Sequence, residues 1–402
     1  MLDRVTIERA AGDGAPILVG LSGGGDSVAL LHLLVEHLGV SRIRAAIVDH
    51  ALRVGSADDA RRAVDIAEAA NVQADMLALS WKSEEKRSQQ TARAARYRAL
   101  CGAANNCGAR VIVVAHTRDD QAETVLLRAT RGSGWRGLAG MRALTPVPVW
   151  PEGRDLVLAR PLLGARRWAL RAWLRERRVD WIEDPANVNE AFARVRARRA
   201  LERLRGAGFE PMRLAALAER LSQHADALDR AAFALVREAA VFHDDTIMVR
   251  PPFWEAPASV RQRALAALFA AAGGAEGEPP PDQVAHLDAL MTAPDFKAAT
   301  LAGAWARAGV GLDGDAIAIR RDRGALVGRA DGARRPAATI LPANQSYVWD
   351  RRAAVTSDGA GWSIEIEAGD PVLTRGQERA PLASGRVEWL LEARVRQLLG
   401  QA

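Results

Sequence analysis

The feature that most constrains the fold is a glycine-rich junction near the start of the chain. An apolar run over residues 17–21 is typical of a buried strand, and apolar residues recur at helical spacing from Val28 to Leu38. Between them the sequence is Ser22-Gly23-Gly24-Gly25-Asp26-Ser27. Successive glycines let backbone N–H groups converge on phosphate oxygens, and the helix that follows adds its positive N-terminal end. The junction predicts a phosphate cradle, for which a glycine-rich turn without a ligand is the alternative.

Strand and helix patterns alternate from the start of the chain to about residue 145. We expect strands at residues 17–21, 43–49, 76–79 and 111–116, and helices near residues 27–38, 57–70, 88–104 and 119–130. Such alternation predicts an α/β fold with a doubly wound parallel sheet and right-handed crossovers. Ligands of that architecture bind at the carboxyl ends of the strands, so polar residues at those ends are the candidates for function.

Polar clusters follow the second and the fourth expected strands. The second strand ends in Asp49-His50-Ala51-Leu52-Arg53, where a carboxylate is placed to hydrogen-bond a nucleoside and simple strand-end polarity is the alternative. The fourth ends in His116-Thr117-Arg118-Asp119-Asp120-Gln121-Ala122-Glu123-Thr124, in which Asp120 and Glu123 share one helical face. Helix capping accounts for one or two of these acids. A histidine, three acids and an arginine together favour a ligand site.

Two further segments carry arginines or glycines in a pattern. Arg93, Arg96 and Tyr97 share one side of the helix expected near residues 88–104, where a solvated face is the alternative. The segment Arg131-Gly132-Ser133-Gly134-Trp135-Arg136-Gly137-Leu138-Ala139-Gly140-Met141 predicts a backbone that bends sharply or moves. Asp26 is the candidate ligand for Mg²⁺ on a polyphosphate, because the glycine loop has no lysine of its own.

Taken in order, these motifs resemble those of the tRNA(Ile)-lysidine synthetases, a branch of the N-type ATP pyrophosphatases that carries a PP-loop. The matching segments continue at Arg160-Pro161-Leu162-Leu163 and Trp181-Ile182-Glu183-Asp184-Pro185-Ala186-Asn187, and together they span roughly half of the chain. One position departs from the family pattern. Val195 follows Arg194 where the family usually has asparagine, which leaves the contact of that amide open.

The resemblance implies an enzyme that uses ATP and Mg²⁺ to join free L-lysine to C2 of the wobble cytidine of a tRNA(Ile) with a CAU anticodon. It implies that Ser22, Gly23, Gly24, Gly25, Asp26, Ser27 and Asp49 bind ATP. Asp120 and Glu123 are expected to bind lysine and to assist proton removal, and Arg96 and His116 to steady the activated nucleotide. With Asp26 as the metal ligand, these four residues complete the expected catalytic set.

The middle of the chain is strongly basic. From Arg160 to Arg205 there are 13 arginines and 6 acidic residues, a net charge of +7 against +6 for the whole chain. This imbalance favours contact with tRNA, for which the candidates are Arg160, Arg194, Arg196 and Arg198. On one expected helix, the core-facing residues are Leu170, Trp173 and Leu174, and the outward-facing ones are Arg167, Arg171, Arg175 and Arg178. A solvated helical face is the alternative.

The rest of the chain is less informative. We expect a catalytic domain over residues 1–205, a helical tRNA-binding domain over 206–300, and an α+β region over 301–402 that the resemblance relates to an acceptor-stem module. Short strands are expected at residues 316–320, 347–349 and 362–366, and a final helix at 387–399. Neither a signal peptide nor a membrane span is expected, which favours the cytoplasm, and a homodimer stays open.

Two other functions compete with this interpretation. One is another nucleotide-activating enzyme with the same loop, such as a tRNA thiolase or an amide-forming ligase. Thiolases of this kind typically need paired cysteines, and Cys101 and Cys107 lack that spacing. The other is a non-catalytic tRNA-binding protein with a degenerate nucleotide site, which the intact Asp26, Asp120 and Glu123 disfavour.

Overall fold

The computed structural model describes most of the chain. The described residues are 1–12, 14–51, 55–81, 89–183, 189–310, 315–327, 338–367, 370–382 and 386–401. Leu52 and Arg53, and the motif residues from Asp184 to Asn187, lie outside them. The chain divides into two compact units, Met1–Asp226 and Ala227–Gln401.

Alternating helices and strands make up the first unit. They are α1 (Arg4–Ala11), β1 (Ile17–Gly20), α2 (Gly25–Leu38), β2 (Ile43–Asp49), α3 (Ser56–Ala69), β3 (Gln73–Ala78), α4 (Gln89–Asn106), β4 (Val111–Val113), α5 (Arg118–Ala129), α6 (Trp135–Leu138), β5 (Leu144–Pro146), β6 (Val157–Ala159), α7 (Arg167–Glu176) and α8 (Ala193–Gly206). The alternation expected from the sequence is confirmed, and the largest differences are in two strands: the third begins three residues earlier than predicted and the fourth ends three residues earlier.

One six-stranded sheet organises this unit, in the order β3-β2-β1-β4-β6-β5. Central strand β1 pairs in parallel with β2 and β4, so that Ile17 lies beside Ile43 on one side and Val111 on the other. Only β5, at one edge of the sheet, runs antiparallel. The predicted doubly wound α/β fold is confirmed, and the carboxyl ends of β1, β2 and β4 meet at one edge.

Apolar side chains on the two faces of the sheet build separate cores. Ile17 and Val19 of β1 pack with helices α1, α2, α3 and α7. Leu18, between them in sequence, packs on the opposite face with Tyr97 and Leu100 of α4. Since both faces are covered, the strands are apolar throughout, as is usual for parallel sheets. The sheet edge is therefore held rigidly from both sides.

The second unit combines helices with three antiparallel sheets. Its elements are α9 (Met212–Ala239, which begins in the first unit), β7 (Ala240–His243), β8 (Thr246–Val249), α10 (Ala258–Ala272), α11 (Pro281–Met291), β9 (Ala298–Leu301), β10 (Ala304–Val310), β11 (Ala316–Arg321), α12 (Arg323–Val327), β12 (Thr339–Ile340), β13 (Ser346–Trp349), β14 (Ala353–Thr356), β15 (Ser363–Glu367), β16 (Asp370–Arg375), β17 (Glu378–Pro381), β18 (Arg386–Trp389) and α13 (Leu391–Leu398). The sheets have the orders β7-β8-β11-β10-β9, β12-β15-β16-β17 and β13-β14-β18.

One prediction for this unit is wrong in part. The final helix begins only at Leu391, because residues 386–389 form strand β18. That strand pairs with β14, which places Val387 beside Val355. The sheet β7-β8-β11-β10-β9 contains strands from both sides of residue 300. The domain limits placed at residues 205 and 300 stay predictions. None of the helices among the described residues is long and apolar enough to cross a membrane.

Candidate functional site

The glycine-rich junction forms a tight turn from strand β1 into helix α2. Ser27 Oγ donates to the carbonyl oxygen of Gly24 at 2.8 Å and accepts from the backbone N of Ser22 at 3.2 Å. The hydroxyls of Ser22 and Ser27 are 3.0 Å apart. The serines thus hold the loop closed, and the helix N-terminus at Gly24 has no side-chain cap. The first N–H groups of α2 remain open for an anion, which is what a phosphate cradle requires.

Glycine is required at Gly23 by both backbone and packing. Its φ is 78°, and a Cβ there would lie 2.4 Å from Cδ1 of Ile182. The carbonyl oxygen of Gly23 accepts from the backbone N of Ile182 at 2.9 Å. At Gly25, a Cβ would lie 3.4 Å from the ring of Trp181. The segment around Trp181 therefore packs directly on the cradle, which gives the predicted motif at 181–183 a structural place.

The polar cluster after β2 lies at the same sheet edge. Asp49 is buried, and its Oδ1 accepts from the backbone N of Ala51 at 2.9 Å. His50 Nδ1 is buried and has no hydrogen-bond partner among the described residues. Burial, reinforced by Arg96, lowers the pKa of His50 and keeps the imidazole neutral at pH 7. Asp49 is thus oriented by the backbone, with its other oxygen available to a ligand such as a ribose.

Helix α5 presents its acids through a reciprocal N-cap. The backbone N and Oγ1 of Thr117 donate to Oδ2 of Asp120 at 2.8 and 2.7 Å, and Thr117 Oγ1 accepts from the backbone N of Asp120. Capping was the alternative to a ligand site, and the structure shows that it accounts for this one oxygen. Glu123, 2% exposed, has no part in the cap.

A single guanidinium gathers three carboxylates from the ends of two strands. Arg167 Nε donates to Asp26 Oδ2 at 3.0 Å, Nη2 to Asp120 Oδ1 at 2.9 Å, and Nη1 to Glu123 Oε1 at 3.2 Å. We call Asp26, Asp120 and Glu123 the acid cluster. Arg198 adds a second bond to Glu123 Oε1, from Nε at 2.9 Å. The predicted Mg²⁺ ligand and the predicted lysine-binding acids are thereby parts of one arrangement.

Burial and the guanidinium act in opposite directions on these acids. Burial would raise the pKa of Asp120, but Arg167, His116 and the Thr117 hydrogen bonds together hold it below its usual value. For Asp26 burial is stronger than the attraction of Arg167, so its pKa is raised. The carboxylates in turn raise the pKa of Arg167 despite its burial. The cluster is therefore a coupled set of charges whose state depends on Arg167.

A second group of charges, which we call the arginine cluster, consists of Arg93, Arg96, Arg128 and Arg160. A Cβ at Gly20 would lie 3.7 Å from Nη2 of Arg96, so this guanidinium is at the end of β1. Burial lowers the pKa of Arg96, Arg128 and Arg160, and the charge of Arg93 adds to the effect in all three. Within the described part of the chain, none of the four forms an ion pair with a carboxylate.

Neutral partners hold the arginine cluster in place. Arg93 Nη2 donates to Tyr97 Oη at 3.2 Å. Arg160, 5% exposed, donates through Nη1 to the carbonyl oxygen of Arg142 at 2.8 Å, and its pKa is lowered to about 10. Arg128 Nη1 donates to the carbonyl oxygens of Gly137 and Gly140 in the glycine-rich loop. Arginines without carboxylate partners, next to a phosphate cradle, indicate a place for an anion.

The pKa of His116 depends on charges from both clusters. Burial lowers its pKa well below 6.5, the charges of Arg160, Arg194 and Arg93 lower it further, and only Asp120 opposes them. Its Nδ1 is buried and has no partner among the described residues. A neutral imidazole at this position accepts a hydrogen bond or a proton from a ligand.

The predicted tRNA-contacting arginines fall into different settings. Arg194 and Arg196 of α8 are exposed, whereas Arg198 is two-thirds buried against Glu123 and Arg160 belongs to the arginine cluster. Val195, at the position where asparagine is usual, is 6% exposed. An apolar side chain is therefore buried there between two exposed arginines.

The sequence interpretation was wrong about Arg167. It placed this residue on the outer face of helix α7 with Arg171 and Arg175, but only 16% of its side chain is exposed. Leu170 and Leu174 are fully buried as expected, and Trp173 is partly buried. Arg167 precedes Leu170 by three residues and Leu174 by seven, so helical spacing puts all of them on one face. That spacing was the signal that could have found it.

Comparisons with known proteins bear on the family of the chain. A family model of the PP-loop domain matches residues 6–204. The chain is 38% identical over 295 residues to a tRNA(Ile)-lysidine synthase of Hyphomonas neptunium, an alignment that covers 72% of this chain and 77% of that protein. It is 33% identical over 379 residues to the protein of the same name from Caulobacter vibrioides, covering 92% and 81%. Among solved structures, a U34-tRNA thiolase of Methanococcus maripaludis aligns over 55% of this chain and 77% of its own, with 15% identity and a TM-score of 0.44.

Proposed function

The chain belongs to the tRNA(Ile)-lysidine synthase family, as its motifs predicted, and from this we propose that it joins free L-lysine to C2 of the wobble cytidine of a CAU-anticodon tRNA(Ile). ATP drives the reaction through an adenylated cytidine, and AMP and diphosphate are released. The product pairs with AUA instead of AUG. The observation that carries the proposal is the shared guanidinium, which joins Asp26 beside the phosphate cradle to Asp120 and Glu123.

In the first step, the C2 oxygen of the cytosine attacks the α-phosphorus of ATP and the bond to diphosphate breaks. The cradle of Ser22–Ser27 binds the leaving diphosphate through its backbone N–H groups and hydroxyls. Asp49 hydrogen-bonds the nucleoside, and Arg96, next to the end of β1, stabilises charge on the phosphate that is transferred. His116 steadies the same activated nucleotide as a neutral partner.

Asp26 fits the role of Mg²⁺ ligand. Its Oδ1 is buried and has no hydrogen-bond partner among the described residues. Asp26 would hold Mg²⁺ through this oxygen, because carboxylate oxygens are the ligands that Mg²⁺ prefers in proteins. When bound, the metal neutralises charge on the phosphates.

In the second step, the ε-amine of lysine attacks C2 of the adenylated cytidine and the C2–O bond to AMP breaks. Lysine enters as an ammonium, so one proton must leave before attack and a second leaves afterwards. Asp120 and Glu123 form the acidic side of the lysine site, and Glu123 Oε2 is a buried acceptor without a partner among the described residues. Arg160, Arg194, Arg196 and Arg198 contact the tRNA, whose single-stranded anticodon loop offers an unstacked base.

Mass analysis of the tRNA product tests this proposal. Purified protein is incubated with ATP, Mg²⁺, lysine and an unmodified CAU-anticodon transcript, and the nucleosides are analysed after digestion. We expect AMP release and a wobble nucleoside that carries lysine, both dependent on lysine. A product that forms equally without lysine, or one that carries sulfur, contradicts the proposal. Binding of tRNA without AMP release would leave only the non-catalytic alternative.

A further inference from the structure

Arg167 divides the carboxylate oxygens of the acid cluster into two sets. One oxygen of each acid accepts from the guanidinium, and Oδ2 of Asp120 is taken by Thr117. Asp120 therefore has both oxygens engaged. Asp26 Oδ1 and Glu123 Oε2 are buried without a hydrogen-bond partner among the described residues. A buried carboxylate oxygen without a partner is costly, so Glu123 Oε2 is where the lysine ammonium is expected, while Asp26 Oδ1 is the atom proposed for Mg²⁺.

The guanidinium is too well anchored for an incoming ammonium to displace it. Arg167 is the first residue of helix α7, and its backbone N donates to Asp119 Oδ2 at 2.9 Å. Its side chain, 16% exposed, has charge-assisted bonds to three carboxylates. An ammonium would have to replace all three while also entering a buried site, and these bonds are the strong kind. Arg167 therefore stays in place when the amine binds.

We infer that Arg167 is a positioning residue for the lysine ammonium: it fixes Glu123 so that Oε2 is the acceptor, and Asp120 acts on the amine only through Arg167. This inference rests on the proposed function and goes beyond it, because it separates the roles of the two acids. Glu123 contacts the substrate, while Asp120 orients the guanidinium that orients Glu123. Truncation of Asp120 and loss of Arg167 must then have the same consequence.

A double-mutant cycle tests this separation. The proteins are wild type, Asp120→Asn, Arg167→Gln and the double variant, and the readouts are KM for lysine, KM for ATP and kcat with saturating tRNA. We expect each single variant to raise KM for lysine by about tenfold, because charge-assisted bonds that place Glu123 are lost. KM for lysine in the double variant should be no higher than in the more severe single variant, since both substitutions disrupt the same positioning of Glu123. KM for ATP should change by less than KM for lysine does, and more in Arg167→Gln than in Asp120→Asn, because Arg167 also bonds Asp26.

Further variants separate positioning from mere loss of structure. Arg167→Lys keeps the charge without the fork and should recover part of the lysine affinity. Glu123→Gln should raise KM for lysine beyond any member of the cycle. Arg177→Gln is the matched control, since Arg177 follows the other end of α7, stacks on Trp173 and is 42% exposed. Its kinetics should equal those of wild type.

Additive effects would overturn the inference. If the double variant raises KM for lysine by about a hundredfold, Asp120 binds the ammonium directly. If Arg167→Gln leaves KM for lysine unchanged, Arg167 does not position the site. Should Arg167→Gln not fold, the same cycle is run with Arg167→Lys and Asp120→Asn. A wild-type protein that makes no lysine-dependent product refutes the proposed function itself, whereas an active wild type with an additive cycle refutes only the inference.

Discussion

The acid cluster and the arginine cluster lie at the same edge of one sheet but differ in how their charges are compensated. Asp26, Asp120 and Glu123 share Arg167, a counter-ion that the chain supplies itself. The arginine cluster has hydrogen bonds to Tyr97 and to backbone carbonyls, and no carboxylate partner among the described residues. One cluster is nearly neutral before any ligand arrives, and the other is not.

This difference separates two ways of preparing a site. A cluster with an internal counter-ion has its geometry fixed in the free protein. It therefore selects a ligand by the shape of the site and by the charge that the counter-ion does not compensate. In the arginine cluster, Arg160 is buried and Arg96 and Arg128 are half-buried, so their like charges are costly in the free protein, and a phosphate that neutralises them recovers that cost on binding. We therefore expect the acid cluster to control lysine recognition and the arginine cluster to control phosphate binding. Substitutions in the two clusters should fail in different ways.

The largest expected effect is the loss of lysine transfer on substitution of Glu123. Glu123→Ala should lower lysine-dependent product formation by about 10²–10⁴-fold, because it removes the buried acceptor for the ammonium and its proton. Binding of ATP should be nearly unchanged. The measurement is single-turnover formation of the lysine-bearing nucleoside beside equilibrium ATP binding.

Arg96→Gln is the counterpart from the arginine cluster. It should slow AMP transfer to the tRNA even when lysine is absent, because the guanidinium lies at the end of β1 beside the cradle. Equal losses of ATP binding in Glu123→Ala and Arg96→Gln would show that the two clusters do not have separate tasks.

The second prediction concerns the free energy of unfolding, which should fall more on substitution in the acid cluster than on substitution in the arginine cluster. Arg167→Met removes the cation that Asp26, Asp120 and Glu123 share, although Glu123 keeps Arg198, and should destabilise the first unit by about 3–5 kcal/mol. Arg96→Met removes a cation that has no carboxylate partner among the described residues. The free energy of unfolding should therefore change by no more than about 1 kcal/mol, in either direction. Chemical denaturation followed by tryptophan fluorescence measures both. A comparable loss in the two variants contradicts the contrast.

Third, the exposed arginine Arg194 should differ from Arg198 in its response to salt. Arg194→Ala should weaken tRNA binding by about tenfold or less and reduce the slope of log K against log salt by about one, as for loss of a phosphate contact. Arg198→Ala should weaken tRNA binding less, since its guanidinium is bonded to Glu123, and should instead raise KM for lysine. Filter binding between low and physiological salt distinguishes the two. Identical salt slopes in both variants would sink the assignment.

The sequence was sufficient to predict the fold of the first unit and to predict which acids lie at the carboxyl edge of its sheet. Alternating patterns placed the strands, and in parallel sheets strand ends meet at one edge whatever the details of packing. Asp26, Asp49 and Asp120 were found because each lies at the end of an apolar strand or within a few residues after it. Residues 387–399 were assigned to one helix although Val387 and Trp389 alternate as in a strand, and pairing with β14 shows that they belong to β18.

Contacts made by long side chains could not be predicted in the same way. Arg93 of α4 and Arg128 of α5 come close enough to interact only in the folded chain, and no spacing in the sequence records it. The burial of Arg167 could have been predicted, since its spacing from Leu170 indicated the buried face of the helix. It was assigned to the solvent-exposed face because of its charge alone. A buried arginine needs partners, and the partners are known only from the fold.

The smallest expected effect is a pH dependence of stability from His116, which senses both clusters. Its pKa in the folded protein lies well below 6.5, mainly through burial and then through Arg160. Below pH 6.5 the unfolded chain binds a proton that the folded protein refuses, so stability should fall as the pH drops from about 6.5 towards the folded pKa, by at most about 1.4 kcal/mol per pH unit. His32 and His50 shift in the same direction, so the measurement is the difference between wild type and His116→Asn across pH 5–7. Arg160→Met should shrink that difference, because it removes the charge that opposes protonation of His116 most strongly. If the difference is unaffected by Arg160→Met, the arginine cluster does not control His116, and the two clusters are electrically independent.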